Sequence, residues 1–101
     1  MQVNQSTDKL YFVSEKFDTV NVVITNQYTK KVTFEKTLPV AQQGYYNVIT
    51  DENFNFKKNQ TYILDIFKNQ SLIYRSTIYS DVDDIYLNAN KINTQDEYIT
   101  V

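Results

Sequence analysis

The sequence predicts an all-β protein: one antiparallel β-sandwich of about seven short strands, a single domain spanning residues 1–101. Three observations carry this. Apolar and polar residues alternate with a period of two in successive runs, most clearly in the stretch from Thr61 to Tyr79, TYILDIFKNQSLIYRSTIY. No stretch of useful length carries the 3.6-residue period of an amphipathic helix. Polar segments rich in Asn, Gln, Lys and Thr separate the runs every eight to twelve residues or so, the spacing of a sandwich of short strands. At 101 residues, 42% of them hydrophobic, the chain has material for one packed core.

Residues 1–8 are polar and read as an amino-terminal arm. Leu10 to Ser14 is a first strand, with Leu10 and Phe12 on one face. Thr19 to Thr25 is a second, with Val20, Val22 and Ile24 inward and Asn21 and Thr25 outward. The polar run Asn26 to Lys31 joins it in a hairpin to Lys31–Leu38, where Val32 and Phe34 point inward. Pro39 ends that strand because it lacks a backbone donor. Ala41 to Gly44 reads as a turn or crossover, with the only glycine available for a positive φ. Tyr45 to Ile49 is a fourth strand. In the polar stretch that follows, Phe54 and Phe56 have the spacing to point inward together from an extended segment.

The hairpin from Thr61 to Tyr79 is the strongest signal. Tyr62, Leu64 and Ile66 share one face of its first strand; Leu72, Tyr74 and Ile78 share one face of its second. Parity selects the turn. A two-residue loop at Asn69-Gln70 sets Arg75 against Leu64, whereas a three-residue loop through Ser71 sets Ile66 against Tyr74 and Asp65 against Arg75. The odd loop is therefore expected, with Asp65 and Arg75 as a register-fixing ion pair rather than a site. Tyr62, at the start of the penultimate strand, sits where the immunoglobulin-like plan places a tyrosine whose hydroxyl bonds back to upstream backbone. The expected architecture is immunoglobulin-like on that ground, without its Cys–Trp–Cys core.

Residues 81–101 form an acidic segment, expected as a short hairpin or a docking arm. From Ser80 onward there are five acidic residues and one lysine, against seven acidic and nine basic residues before it.

Net charge is −2 and the basic residues are scattered, so no nucleic-acid surface is expected. No apolar run reaches membrane-spanning length and no basic start precedes one, so neither a membrane partner nor a secretion signal is expected. With no histidine, no cysteine, no glycine-rich phosphate loop and no nucleophile elbow, no enzymatic activity, catalytic residue or cofactor is expected. The abundance of Asn, Lys, Tyr and Ile and the scarcity of Gly, Pro, Ala and Arg point to AT-rich codons.

Three places remain as candidates. Asp81, Asp83 and Asp84, with Asp51 or Glu52 from another loop, offer hard oxygen ligands for calcium, although the spacing lacks an EF-hand's glycine and closing glutamate. The ordinary reading of such a run is a solvated acidic turn. Tyr28, Tyr45 and Tyr46 with Gln42, Gln43 and Asn47 combine aromatic faces and amides, which suit a sugar ring. Tyr98, Ile99 and Val101 close the sequence as EYITV, able to complete the domain's own sheet or to extend a neighbour's.

The run FKKNQTYILDIFKNQSLIYRSTIYSD, followed by a polar stretch and the closing EYITV, resembles small β-sandwich proteins among the structural gene products of tailed phages. In these a strand of the form TYxLxI pairs with one like LIYRxxI. The resemblance covers about Phe56 to Val101. It implies a virion structural or accessory protein of capsid or tail, assembled in the host cytoplasm and present in many symmetric copies. Its partners would be other virion proteins. The alternative is a carbohydrate-binding or adhesin-type module.

Overall fold

The computed structural model describes residues 1–81. They form eight strands rather than about seven: β1 (Gln2–Val3), β2 (Lys9–Phe12), β3 (Thr19–Asn26), β4 (Val32–Pro39), β5 (Ala41–Gln43), β6 (Tyr46–Thr50), β7 (Gln60–Lys68) and β8 (Ser71–Ser80). A five-stranded sheet has the order β1-β8-β7-β3-β4, and a three-stranded sheet the order β2-β6-β5. All pairings are antiparallel except that of β1 with β8. Two of these strands come from segments expected to be irregular. The polar arm supplies β1, with Val3 buried, and Ala41–Gln43 pairs with β6 instead of turning.

The core follows from alternation. Leu10 and Phe12 of β2 meet Val20, Val22 and Ile24 of β3, Leu64 and Ile66 of β7 and Ile78 of β8, all of them buried. Phe54 and Phe56 point inward together, as their spacing predicts, and extend a chain of rings. Phe34 and Phe54 lie 4.9 Å apart, Phe54 and Phe56 5.8 Å, and Phe56 and Tyr62 5.4 Å. Tyr62 is fully buried, so its hydroxyl requires a partner. It accepts the Lys57 backbone N–H at 3.0 Å, the upstream backbone bond expected of this tyrosine.

Two β-bulges decide which apolar residues reach this core. In the β3–β4 pair, Ile24 faces Phe34 but Thr25 faces Val32, so Thr33 is the extra residue. Val32 is thereby turned outward and is 53% exposed, against the expectation that it points in. In the β7–β8 pair, Ile66 faces Tyr74 and Phe67 faces Leu72, leaving Ile73 as the extra residue. The Asp65–Arg75 pairing is as expected, but the route to it is not. The loop has two residues, and the bulge at Ile73 restores the parity that a third loop residue would have supplied. Leu72 pays for this by facing out at 47% exposure, while Ile73 packs against the core.

The turns fit their backbone. Asn69 and Gln70 both have positive φ, 51° and 69°, the signature of a type I′ hairpin turn. Gly44 has φ +61° and opens the two-residue turn between β5 and β6, where an L side chain would be strained. Pro39 is the last residue of β4, opposite Thr19, and lacks the N–H needed to continue. The chain then crosses to the other sheet through Val40, whose N–H donates to the Asp18 carbonyl at 2.9 Å.

Gln70 is the residue least suited to its place, since a left-handed conformation costs a non-glycine residue about 1–2 kcal/mol. Gln70→Gly is expected to raise unfolding free energy by about 1 kcal/mol without changing the register, measured by urea unfolding and amide exchange across β7 and β8.

Candidate functional site

The aromatic cluster read from the sequence is not one site. Tyr28 lies in the β3–β4 turn, at the end of the sandwich where β3 stops and β7 starts. Asn26 organises that turn: its side-chain oxygen accepts from the Tyr28 and Thr29 N–H groups at 2.9 and 3.1 Å, and its amide donates to Gln60 at 2.9 Å. Tyr45 and Tyr46 lie at the opposite end, because β5 runs on past Pro39, where β3 begins. Gln42 and Asn47 drop out for a different reason. Asn47 is buried on the inner face, accepting from the Gln42 amide and donating to Ser14 Oγ at 3.0 Å and the Glu15 carbonyl at 3.2 Å. Its polar atoms pin the loop between β2 and β3, while Gln42, exposed on β5, gives an amide hydrogen to Asn47.

What replaces the cluster is the outer face of the three-stranded sheet. Strand parity puts Tyr11 and Tyr46 on that face, flanking Val48. Their rings meet edge to face, centroids 6.2 Å apart, with exposures of 41% and 50%. Tyr45 stands at the turn, 91% exposed; Gln43 lies across the ladder from Tyr46, and Val13 is exposed beyond β2. Tyr11 was missing from the sequence candidates. The signal was present: if Leu10 and Phe12 point inward, Tyr11 and Val13 must point outward, where a solvent-facing strand would carry polar side chains.

The second surface is a strand edge. β1 pairs only with Tyr79 and Ser80, so among the described residues no strand covers β8 from Ser71 to about Ser76. Around β1 the ladder is well made. The Met1 ammonium donates to the Thr77 carbonyl at 3.1 Å, the Tyr79 N–H to Met1 at 2.8 Å, and the Asp81 N–H to Val3 at 2.9 Å. Residues 77, 79 and 81 thus aim their backbone groups at β1. By the pleat, Arg75 aims its N–H and C=O the same way, away from β7, where no described strand meets them. The Arg75 side chain is exposed beside this edge, held by Asp65 through Nε–Oδ1 at 2.6 Å and Nη2–Oδ2 at 3.2 Å. That hydrogen bond, and with it the carboxylate's charge, raises the pKa of Arg75 further above its ordinary value. A depression lined by Thr25, Ile63, Asp65 and Arg75 adjoins the pair.

Of the acidic candidates, Asp51, Glu52 and Asp81 are among the described residues. Asp51 is buried, accepting from Lys36 Nζ at 2.9 Å and the Asn53 N–H at 2.7 Å. Glu52 is exposed in the following turn. Asp81 is exposed, with φ 49°, after the last residue of β8. Asp83, Asp84, Tyr98, Ile99 and Val101 lie outside the described residues. Among the described residues no group of three or more carboxylates is placed to hold a metal ion.

The Asp51 carboxyl is held below its ordinary value, first by the Lys36 hydrogen bond, then by the Asn53 N–H; burial opposes both. A depressed folded-state value means stability that is present above the unfolded-state value and lost as pH falls through the folded one. Lys36→Met is expected to lower the melting temperature near neutral pH. The two proteins should converge as pH falls from about 6 to 2, as thermal melts across that range will show.

Comparison of the chain with protein-family models, with curated proteins and with solved structures finds no match.

Proposed function

We propose that this protein is a non-enzymatic structural or accessory component of a tailed-phage particle, in capsid or tail, acting through protein–protein contacts made by a strand edge. Other virion proteins are its partners, in many symmetric copies, and it is assembled in the host cytoplasm. The observation that carries the reading is the edge of β8, which among the described residues is covered by β1 over two residues only. An open edge of hydrogen-bonding groups is a template for another strand, and proteins that do not use one usually blunt it. The opposite edge of the same sheet shows such blunting. Lys36 of β4 has the inward parity of Phe34 and Leu38, yet it carries its charge to Asp51.

We also infer an immunoglobulin-like arrangement. Strand order supports it: β2-β6-β5 corresponds to B-E-D and β8-β7-β3 to G-F-C of that plan. Tyr62 stands at the start of the strand equivalent to F, and buried Leu64 stands two residues on, where antibody domains carry a cysteine. Such sandwiches serve widely as interaction modules, which agrees with the phage resemblance of Phe56 to Val101. Mass spectrometry of purified particles from the phage encoding the chain is expected to detect it in stoichiometric amounts; its absence, or hydrolysis of a glycan or peptide by the isolated protein, would count against the proposal.

A carbohydrate-binding function is the second reading, favoured by the Tyr11–Tyr46 pair beside Tyr45 and Gln43. Exposed aromatic faces with a neighbouring amide suit stacking on a sugar ring. If it holds, a glycan array gives a signal that Tyr46→Ala reduces by about tenfold or more, roughly the loss of one stacking contact. A silent array removes it.

A further inference from the structure

We propose that the open edge of β8 accepts an extended segment of a partner chain that carries a carboxylate opposite Arg75 and apolar residues on either side of it. The inference rests on the reading above that this edge is a docking site, and adds the chemistry of what docks.

Backbone geometry gives the first part. An incoming strand meets the Arg75 N–H and C=O and the Thr77 N–H, the groups that continue the ladder already formed with β1. Side-chain parity gives the second. In β1, Val3 opposes Ser80 and is buried, while Gln2 opposes Tyr79 and faces out. Continuing that alternation along β8, residues opposite Ser76 and Tyr74 point into the mouth between the sheets, and the residue opposite Arg75 points out. The mouth is apolar: Tyr74 lies 5.5 Å from Phe12 of β2, and Ile73 packs against the core beside it. Apolar side chains belong there.

Charge gives the third part, and the same edge of a second copy, Ser71 to Ser76, supplies no carboxylate to it. Antiparallel pairing of two copies about Ile73 sets each Arg75 against a serine, which offers it no charge partner, and pairing about Tyr74 or Arg75 brings the two Arg75 side chains to diagonal or directly opposite places on one face. Like charges so placed repel. Arg75 is the only guanidinium of the chain and its fork presents more donors than the bonds to Asp65 use. An acidic residue across the rung therefore completes an Asp65–Arg75–carboxylate row, and a basic one opposes it.

The direct test fuses Thr-Ile-Glu-Ile-Thr immediately ahead of Met1 in the full chain. Because β1 runs parallel to β8, the first residue before Met1 falls opposite Thr77, and the glutamate, third before it, falls opposite Arg75. Two further fusions carry lysine in place of the glutamate, or Gly-Ser-Gly-Ser-Gly throughout. Amide exchange is read at Arg75 and Thr77. The glutamate fusion is expected to slow exchange at Arg75 by about tenfold or more relative to the Gly-Ser fusion, and the lysine fusion by clearly less. The charge-swapped chain Asp65→Arg with Arg75→Glu, which keeps a cross-strand pair, should reverse the preference. Equal slowing by glutamate and lysine would overturn the acidic assignment while leaving the edge as a docking site. No slowing with either would overturn both.

Discussion

Everything in this fold hangs on the register of β7. It is the central strand of the five-stranded sheet, hydrogen-bonded to β3 on one side and β8 on the other, and its inner residues Tyr62, Leu64 and Ile66 are fully buried. A slip of one residue would put Ile63, Asp65 and Phe67 in their places and bury a carboxylate without its partner. Three devices oppose the slip: the Tyr62 hydroxyl on Lys57, the Asp65–Arg75 fork and the turn at Asn69-Gln70. Truncating a residue such as Leu64 would cost about 2–5 kcal/mol, a large fraction of the stability of a chain this size.

Much of this was readable from the sequence because side-chain parity is local. The runs at Thr19, Thr61 and Leu72 announced their strands, Phe54 and Phe56 their inward direction, and Asp65 and Arg75 their partnership. Parity failed at the bulges. Nothing near Val32 or Leu72 marks them as outward, since a bulge is set by the partner strand and the turn together. β5 was missed because Ala41 to Gln43 are all exposed on an edge, leaving no alternation to read. The partition into two sheets, and so the separation of Tyr28 from Tyr45, depends on Pro39 and Val40 steering the chain across the sandwich. The open edge of β8 depends on pairing between the two ends of the described chain. Neither is a local property.

The chain stabilises its loops without disulfides and with a single glycine. Asparagine does much of that work, because its short amide tolerates the left-handed region and bonds to nearby backbone. Asn55, Asn59 and Asn69 hold positive φ, Asn26 organises the β3–β4 turn, and buried Asn47 ties β6 to the loop after β2. The same composition suggested sugar-reading amides in the sequence. In the fold, Asn47 and Gln42 serve each other.

The parallel pairing of β1 with β8 also sets how the domain answers to pulling. Met1 lies alongside Ile78 and Asp81 follows the last residue of β8, so tension between these points acts along the two strands in opposite directions. The bonds from Met1 to Thr77, from Tyr79 to Met1 and from Asp81 to Val3 then bear load together, in shear. Had the strands been antiparallel, the same tension would have opened the bonds one after another. A clasp of two residues thereby resists far more force than its length suggests, provided the load is applied at Met1 and Asp81.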